Sequence, residues 1–176
     1  MPLIVEDGSG VEDANSYVDA VYLNSYAGDR GFTLPDDLDV KHELLLLAFD
    51  YLEARRGEYQ GTKNKISQWP RDDVQIDCVN FDTNSIPKEL KDAQCQLVIE
   101  INNGVQLYPK PLTNATEGFV TEKTVGPLTK KFAATGRGAA NPLRPTIMAS
   151  VEALLLPLLK KGACCSGGGL RTVRVL

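Results

Sequence analysis

The chain has 176 residues, 43% of them hydrophobic and 24% charged, with a net charge of −4. That length suffices for one domain with its own core. No stretch approaches the roughly 18 apolar residues of a membrane span; the longest aliphatic run is Leu44 to Ala48.

The opening Met1-Pro2-Leu3-Ile4-Val5-Glu6-Asp7 turns acidic without the basic start and apolar run of a secretory signal. No passage through the secretory route is therefore expected. Residues 1–13 read as an extended lead-in containing Gly8-Ser9-Gly10. The first helix is predicted to start at Asn15 or Ser16 and to end at Gly28–Gly31, with Ser16 and Asp19 resembling a capping box. Val18, Val21 and Tyr22 would form its inner face.

A second helix is predicted from about Pro35 to Arg56, because Leu38, Leu45, Phe49 and Leu52 recur at helical spacing. Leu44, Leu46 and Leu47 widen the stripe, which suggests burial on several sides. Asp36, Asp37 and Asp39 at its start and Arg55-Arg56 at its end suit the helix dipole. Residues 57–85 read as a polar, irregular loop in which Trp69, just before Pro70, anchors on the core. The third helix is predicted over Pro87 to Asn102, with Leu90, Ala93, Leu97, Val98 and Ile101 buried and Asn103-Gly104 as the stop.

After a proline-containing loop over 105–117, residues 119–125 alternate and carry β-formers. Gly126-Pro127 is a turn signal, and Leu128 to Phe132 can return. A projecting β-hairpin is expected, too small to be stable alone. An Ala/Gly-rich linker over 133–142 precedes a fourth helix at about Pro145 to Lys161, which Pro157 should kink or break. Glycines between 162 and 169 then lead to Leu170-Arg171-Thr172-Val173-Arg174-Val175-Leu176, an alternating strand suited to a sheet edge. The expected fold class is thus mainly α: a small helical bundle with a projecting β-hairpin and an extended C-terminal arm of helix plus terminal strand. The division expected is a body over 1–132 and an arm over 133–176.

Charge divides the chain. Residues 1–122 hold 10 Lys+Arg and 22 Asp+Glu, whereas residues 123–176 hold 9 and 1. An acidic body with a basic arm seeks DNA phosphate, an acidic protein surface, or the body itself.

No active site is legible, and neither catalysis, a metal nor a cofactor is expected. A positioned base is usually His, and the only histidine, His42, reads as a surface residue of the second helix. Gly167-Gly168-Gly169 lacks the Lys-Ser/Thr ending of a phosphate loop, and Gly61-Thr62-Lys63 lacks the upstream glycine. Asp36, Asp37 and Asp39 lack the glycine and closing glutamate of a calcium loop, and Asp72, Asp73 and Asp77 are a weaker case. Cys78, Cys95, Cys164 and Cys165 match no zinc spacing and are expected as free thiols.

Several phrases in order carry a family resemblance: Leu3 to Gly10 leading into Ala14-Asn15-Ser16-Tyr17-Val18, then Ala48-Phe49-Asp50-Tyr51-Leu52, Arg56-Gly57, Gly61-Thr62, Gln68-Trp69-Pro70-Arg71, Ile86-Pro87, Leu90-Lys91-Asp92-Ala93-Gln94 and Glu122 to Pro127. Over residues 3–132 the chain resembles tailed-phage proteins labelled DnaT-like single-stranded DNA-binding proteins. These look similar to head–tail adaptor, or head-completion, proteins. The resemblance implies a structural connector in the virion neck, made in the host cytoplasm. It would dock as a ring of about a dozen copies beneath the portal protein and pass the DNA channel on to a downstream neck or tail protein. Leu154, Leu155, Leu158, Leu159, Lys160, Lys161, Arg171, Val173, Arg174 and Val175 are the expected portal-binding residues. Lys130, Lys131 and Arg137 would touch duplex DNA transiently and non-specifically, and no membrane partner is expected. The alternative takes the label literally: a DnaT-like single-stranded DNA-binding replication protein. That class needs basic grooves with aromatic platforms, whereas the aromatics here lie mainly in the acidic part, apart from Phe119 and Phe132.

Overall fold

The computed structural model describes residues 2–108, 122–125, 128–131 and 148–160. The chain forms two compact units, one of residues 1–105 with 147–176 and one of residues 106–146. Its class is mainly α with a small β-hairpin, as expected. In the first unit α1 (Ala20–Asp29), α2 (Leu38–Ala54) and α4 (Ala149–Leu155) all pack on α3 (Lys88–Asn102).

Helix α1 starts later than the sequence suggested. Residues 15–18 are buried, Val5 bridges Ser16 in parallel, and the Ser16 hydroxyl donates to the Val18 carbonyl. This pairing holds the segment outside the helix, so Asp19 becomes the N-cap and accepts from the Tyr22 amide at 2.7 Å. The buried face is then Leu23, Tyr26 and Ala27, and Val21 points outward with 75% of its surface exposed.

Helix α2 is capped by Asp37, which accepts from the Asp39 amide. Leu45, Ala48, Phe49, Tyr51 and Leu52 are buried, as the helical spacing requires. The width of the stripe misled: Leu38 and Leu47 are exposed and Leu44 and Leu46 are half-buried, so one side of α2 stays open. Arg55 caps the C-terminal end of α2, as expected, and is buried there. Its guanidinium donates to Glu58 at 2.8 Å and to Glu152 at 3.0 Å, tying α2 to α4.

The segment after α2 holds two pairs of two-residue antiparallel strands, β1 (Thr62–Lys63) with β2 (Arg71–Asp72) and β3 (Gln75–Ile76) with β4 (Val79–Asn80). Elements this short leave no period to read in a sequence. Trp69 is fully buried there, edge-on to Tyr59 with ring centroids 5.7 Å apart. Gly61 sits at φ +68°, where a Cβ would come within 2.2 Å of the Asp72 carbonyl oxygen; only glycine lets β1 approach β2 here.

Helix α3 lies where predicted, but more of it is buried. Gln94, Cys95 and Ile99 join Leu90, Ala93, Leu97 and Val98, because partners cover α3 on several sides. Cys95 is a free buried thiol, whereas Cys78 is disulfide-bonded, against the expectation of free thiols throughout.

The predicted fourth helix is shorter. It ends at Leu155, and a 3-10 turn containing Pro157 follows over Leu156–Leu158, as a proline without an amide hydrogen dictates. Val151, Leu155 and Leu158 are fully buried, so this helix contributes to the first unit's core. The chain beyond the 3-10 turn is pinned beside the end of α2. Gln60 donates to the Leu158 carbonyl at 3.0 Å and Lys160 donates to the Glu58 carbonyl at 2.9 Å.

In the second unit β5 (Glu122–Val125) and β6 (Leu128–Lys131) form the predicted hairpin. Its register pairs Glu122 with Lys131, Lys123 with Lys130, Thr124 with Thr129, and Val125 with Leu128. The expected terminal strand lies outside the described residues.

Candidate nucleic-acid interface

Among the described residues no group of three or more His, Cys, Asp or Glu side chains could hold a metal ion. Trp69, the residue a base-stacking platform would most readily use, is fully buried and unavailable to a ligand. The expected docking leucines are also largely spent internally. Leu155 and Leu158 are fully buried, Leu154 and Leu159 are half-buried, and Lys160 is exposed. Lys161, Arg171, Val173, Arg174, Val175 and Arg137 lie outside the described residues.

Two features remain that suit a nucleic acid. The first is the β5–β6 hairpin, where Lys123 stands directly opposite Lys130 and Lys131 is opposite Glu122. From position 123 to 146 the sequence carries Lys123, Lys130, Lys131, Arg137 and Arg144 and no acidic residue.

The second is a hollow of about 240 Å³ on the first unit, lined by Tyr22, Ser25, Tyr26, Asp29, Arg30, Lys88 and Asp92. Tyr22 and Tyr26 of helix α1 and its C-cap residue Arg30 follow at four-residue steps, which places them on one side of the helix. The exposed Arg30 guanidinium lies 3.6 Å from the Tyr26 ring centroid and donates to the Tyr26 carbonyl. Its outer face is a flat cationic surface on which a base can stack. From α3, Asp92 accepts from the Tyr22 hydroxyl at 2.7 Å and lies 4.0 Å from the Lys88 ammonium. Asp29 and Asp92 oppose phosphate, so the hollow suits a base edge rather than a sugar–phosphate backbone. Sequence reading missed this hollow, although the spacing of Tyr22, Tyr26 and Arg30 was a usable signal.

Burial pushes the phenols of Tyr17, Tyr22, Tyr26 and Tyr59 above the ordinary tyrosine value. Hydrogen bonds to Glu53 and Asp92 add to this for Tyr17 and Tyr22. The folded state therefore keeps protons that the unfolded chain releases near pH ~10. Stability contributed by these groups is complete below that pH and falls as pH rises above it. An alkaline titration of phenolate absorbance is expected to show two phases. The later phase should coincide with loss of helical circular dichroism. Uniform ionisation of every tyrosine at the ordinary value, with the helices intact, would contradict the buried placement.

The family model described as "Putative DnaT-like ssDNA binding protein" matches residues 1–175. No curated protein matches, and no solved structure matches. This match corrects the head-to-tail connector expectation, because the family it selects is described by single-stranded DNA binding. Two of the leucines assigned to portal docking lie in the chain's own core.

Proposed function

The chain belongs to the DnaT-like single-stranded DNA-binding protein family, and from that premise we propose that it binds single-stranded DNA without catalysis, through its basic hairpin segment. The hairpin register carries this reading. Lys123 is paired in register with Lys130, and Lys131 with Glu122, so three lysines fall within the eight residues of the two strands. A phosphate backbone laid along the hairpin neutralises such a concentration of lysines and releases counterions. Lys123, Lys130 and Lys131 are the primary phosphate ligands, with Arg137 and Arg144 the next basic residues in sequence. The acidic body adds no general attraction for nucleic acid.

Fluorescence anisotropy with a labelled oligothymidylate tests the reading. Replacing Lys123, Lys130 and Lys131 together by glutamine should flatten the plot of log affinity against log salt by about 2, since each single-strand phosphate contact contributes roughly 0.7. Near 0.1 M salt that corresponds to an affinity loss of about 100-fold. An unchanged slope would remove the hairpin from the interface. Failure of the unaltered protein to bind the oligonucleotide at any low salt concentration would end the proposal.

A further inference from the structure

The hollow between α1 and α3 holds a carboxylate with spare acceptor capacity. Asp92 is buried, with only 11% of its side chain exposed. Its Oδ1 accepts from the Tyr22 hydroxyl at 2.7 Å. Its Oδ2 faces the Lys88 ammonium at 4.0 Å, too far for a hydrogen bond. A carboxylate offers about four lone-pair sites, so Asp92 keeps acceptor sites for a ligand in the hollow. Lys88, exposed in the first turn of α3, sets a cation beside it. Another wall is the Arg30 guanidinium, 3.6 Å from the Tyr26 ring centroid and tied to the Tyr26 carbonyl at 3.3 Å. The hollow's volume of about 240 Å³ is below the roughly 300–1,000 Å³ of drug-sized sites. It therefore admits one base rather than two.

We propose that this hollow takes one unpaired guanine of the bound strand. The inference rests on the single-strand reading above and adds a base preference to it. Guanine's Watson–Crick edge presents the O6 acceptor followed by two donors, N1–H and the N2 amino group. Asp92 accepts from both donors, and the neighbouring Lys88 donates to O6, so every contact is charge-assisted. The ring stacks on the outer face of Arg30, a planar cation. The other bases lack this edge. Cytosine and adenine each set one amino donor beside a ring nitrogen that repels a carboxylate. Thymine's single N3–H lies between two carbonyls, which do the same. In a duplex the edge is consumed by pairing, so the hollow reads guanine only in a single strand.

Fluorescence anisotropy with the full chain tests this, using a labelled oligothymidylate and the same strand with one central guanine, adenine or hypoxanthine. One guanine is expected to raise affinity about 10-fold over thymine, as a good bidentate contact does. Hypoxanthine, which lacks only the N2 amino group, should lose most of that gain. Adenine, which also stacks as a purine, should show little of it. Asp92→Asn still offers Tyr22 an acceptor but opposes guanine's donors, so the guanine-to-thymine affinity ratio should fall to about 1. Comparing hypoxanthine with guanine alters the ligand alone, and so decides the point even where Asp92→Asn fails to fold. Equal binding of the guanine and thymine strands would overturn the proposal and leave the single-strand reading in place, whereas binding of neither strand would end both. A guanine preference that persists with hypoxanthine, or in a folded Asp92→Asn, would overturn the assignment of the edge to Asp92.

Discussion

Replacing Trp69 by alanine is expected to destabilise the first unit by about 3–5 kcal/mol. Its side chain is fully buried against the fully buried Tyr59, at the point where the loop after α2 meets the core. The indole N–H has no hydrogen-bond partner among the described residues, so alanine forfeits packing rather than a polar contact. The Trp69 amide donates to the Tyr17 hydroxyl, which itself donates to Glu53. Collapse of the loop would therefore also loosen the contact between the lead-in and α2. Against a typical total of 5–15 kcal/mol, the loss shows as a drop in thermal midpoint of about 10 °C or more. Trp69→Phe keeps a ring in place and should cost less than half as much. Thermal and urea unfolding followed by circular dichroism check both values; a loss below about 1 kcal/mol for alanine would show that the side chain is not packed as described.

Gln94→Leu is expected to cost about 3 kcal/mol although the volume is nearly kept, because a buried donor is left without a partner. Gln94 is fully buried on α3. Its Oε1 accepts from the Tyr17 amide at 2.9 Å, and its Nε2 donates to the Ser16 hydroxyl at 2.9 Å and to the Leu45 carbonyl at 3.0 Å. One amide group thus joins the lead-in, α2 and α3. Leucine strands the Tyr17 N–H in the core and removes both donors. Chemical denaturation measures the cost, and hydrogen exchange at the Tyr17 amide locates it: exchange there should accelerate beyond the change in global stability. A variant as stable as the natural chain, with Tyr17 still protected, would remove Gln94 from this role.

These residues show where reading the chain stopped. Trp69 is legible as a core anchor because a large apolar side chain in a polar loop has few other places to go. Gln94 is not legible. A glutamine among Leu90, Ala93, Leu97 and Val98 looks like a solvent-facing position until the groups above it, Tyr17 and Leu45, are known, and both are distant in sequence. Arg55 stands at the end of α2 as its charge suggested, and Glu58 is a local partner, but its second carboxylate partner, Glu152, lies 97 residues away and was not legible.

What the sequence determined by itself rests on local physics. The apolar period marked α2 and α3, Pro157 ended α4, and the alternation around Gly126-Pro127 produced the hairpin pairing, because each depends on residues within a few positions of one another. The segregation of acidic and basic residues is likewise a property of the chain alone. Tertiary structure decided which faces of those elements meet. It turned Val21 outward and Leu23 inward once residues 15–18 paired with the lead-in, left Val40 and Leu47 exposed on a helix that looked buried all round, and placed Leu155 and Leu158 against α3. It also gathered Tyr22, Tyr26, Arg30, Lys88 and Asp92 around one hollow. Burial and partner choice depend on contacts between segments far apart in the chain, and periodicity within a single segment carries no record of them.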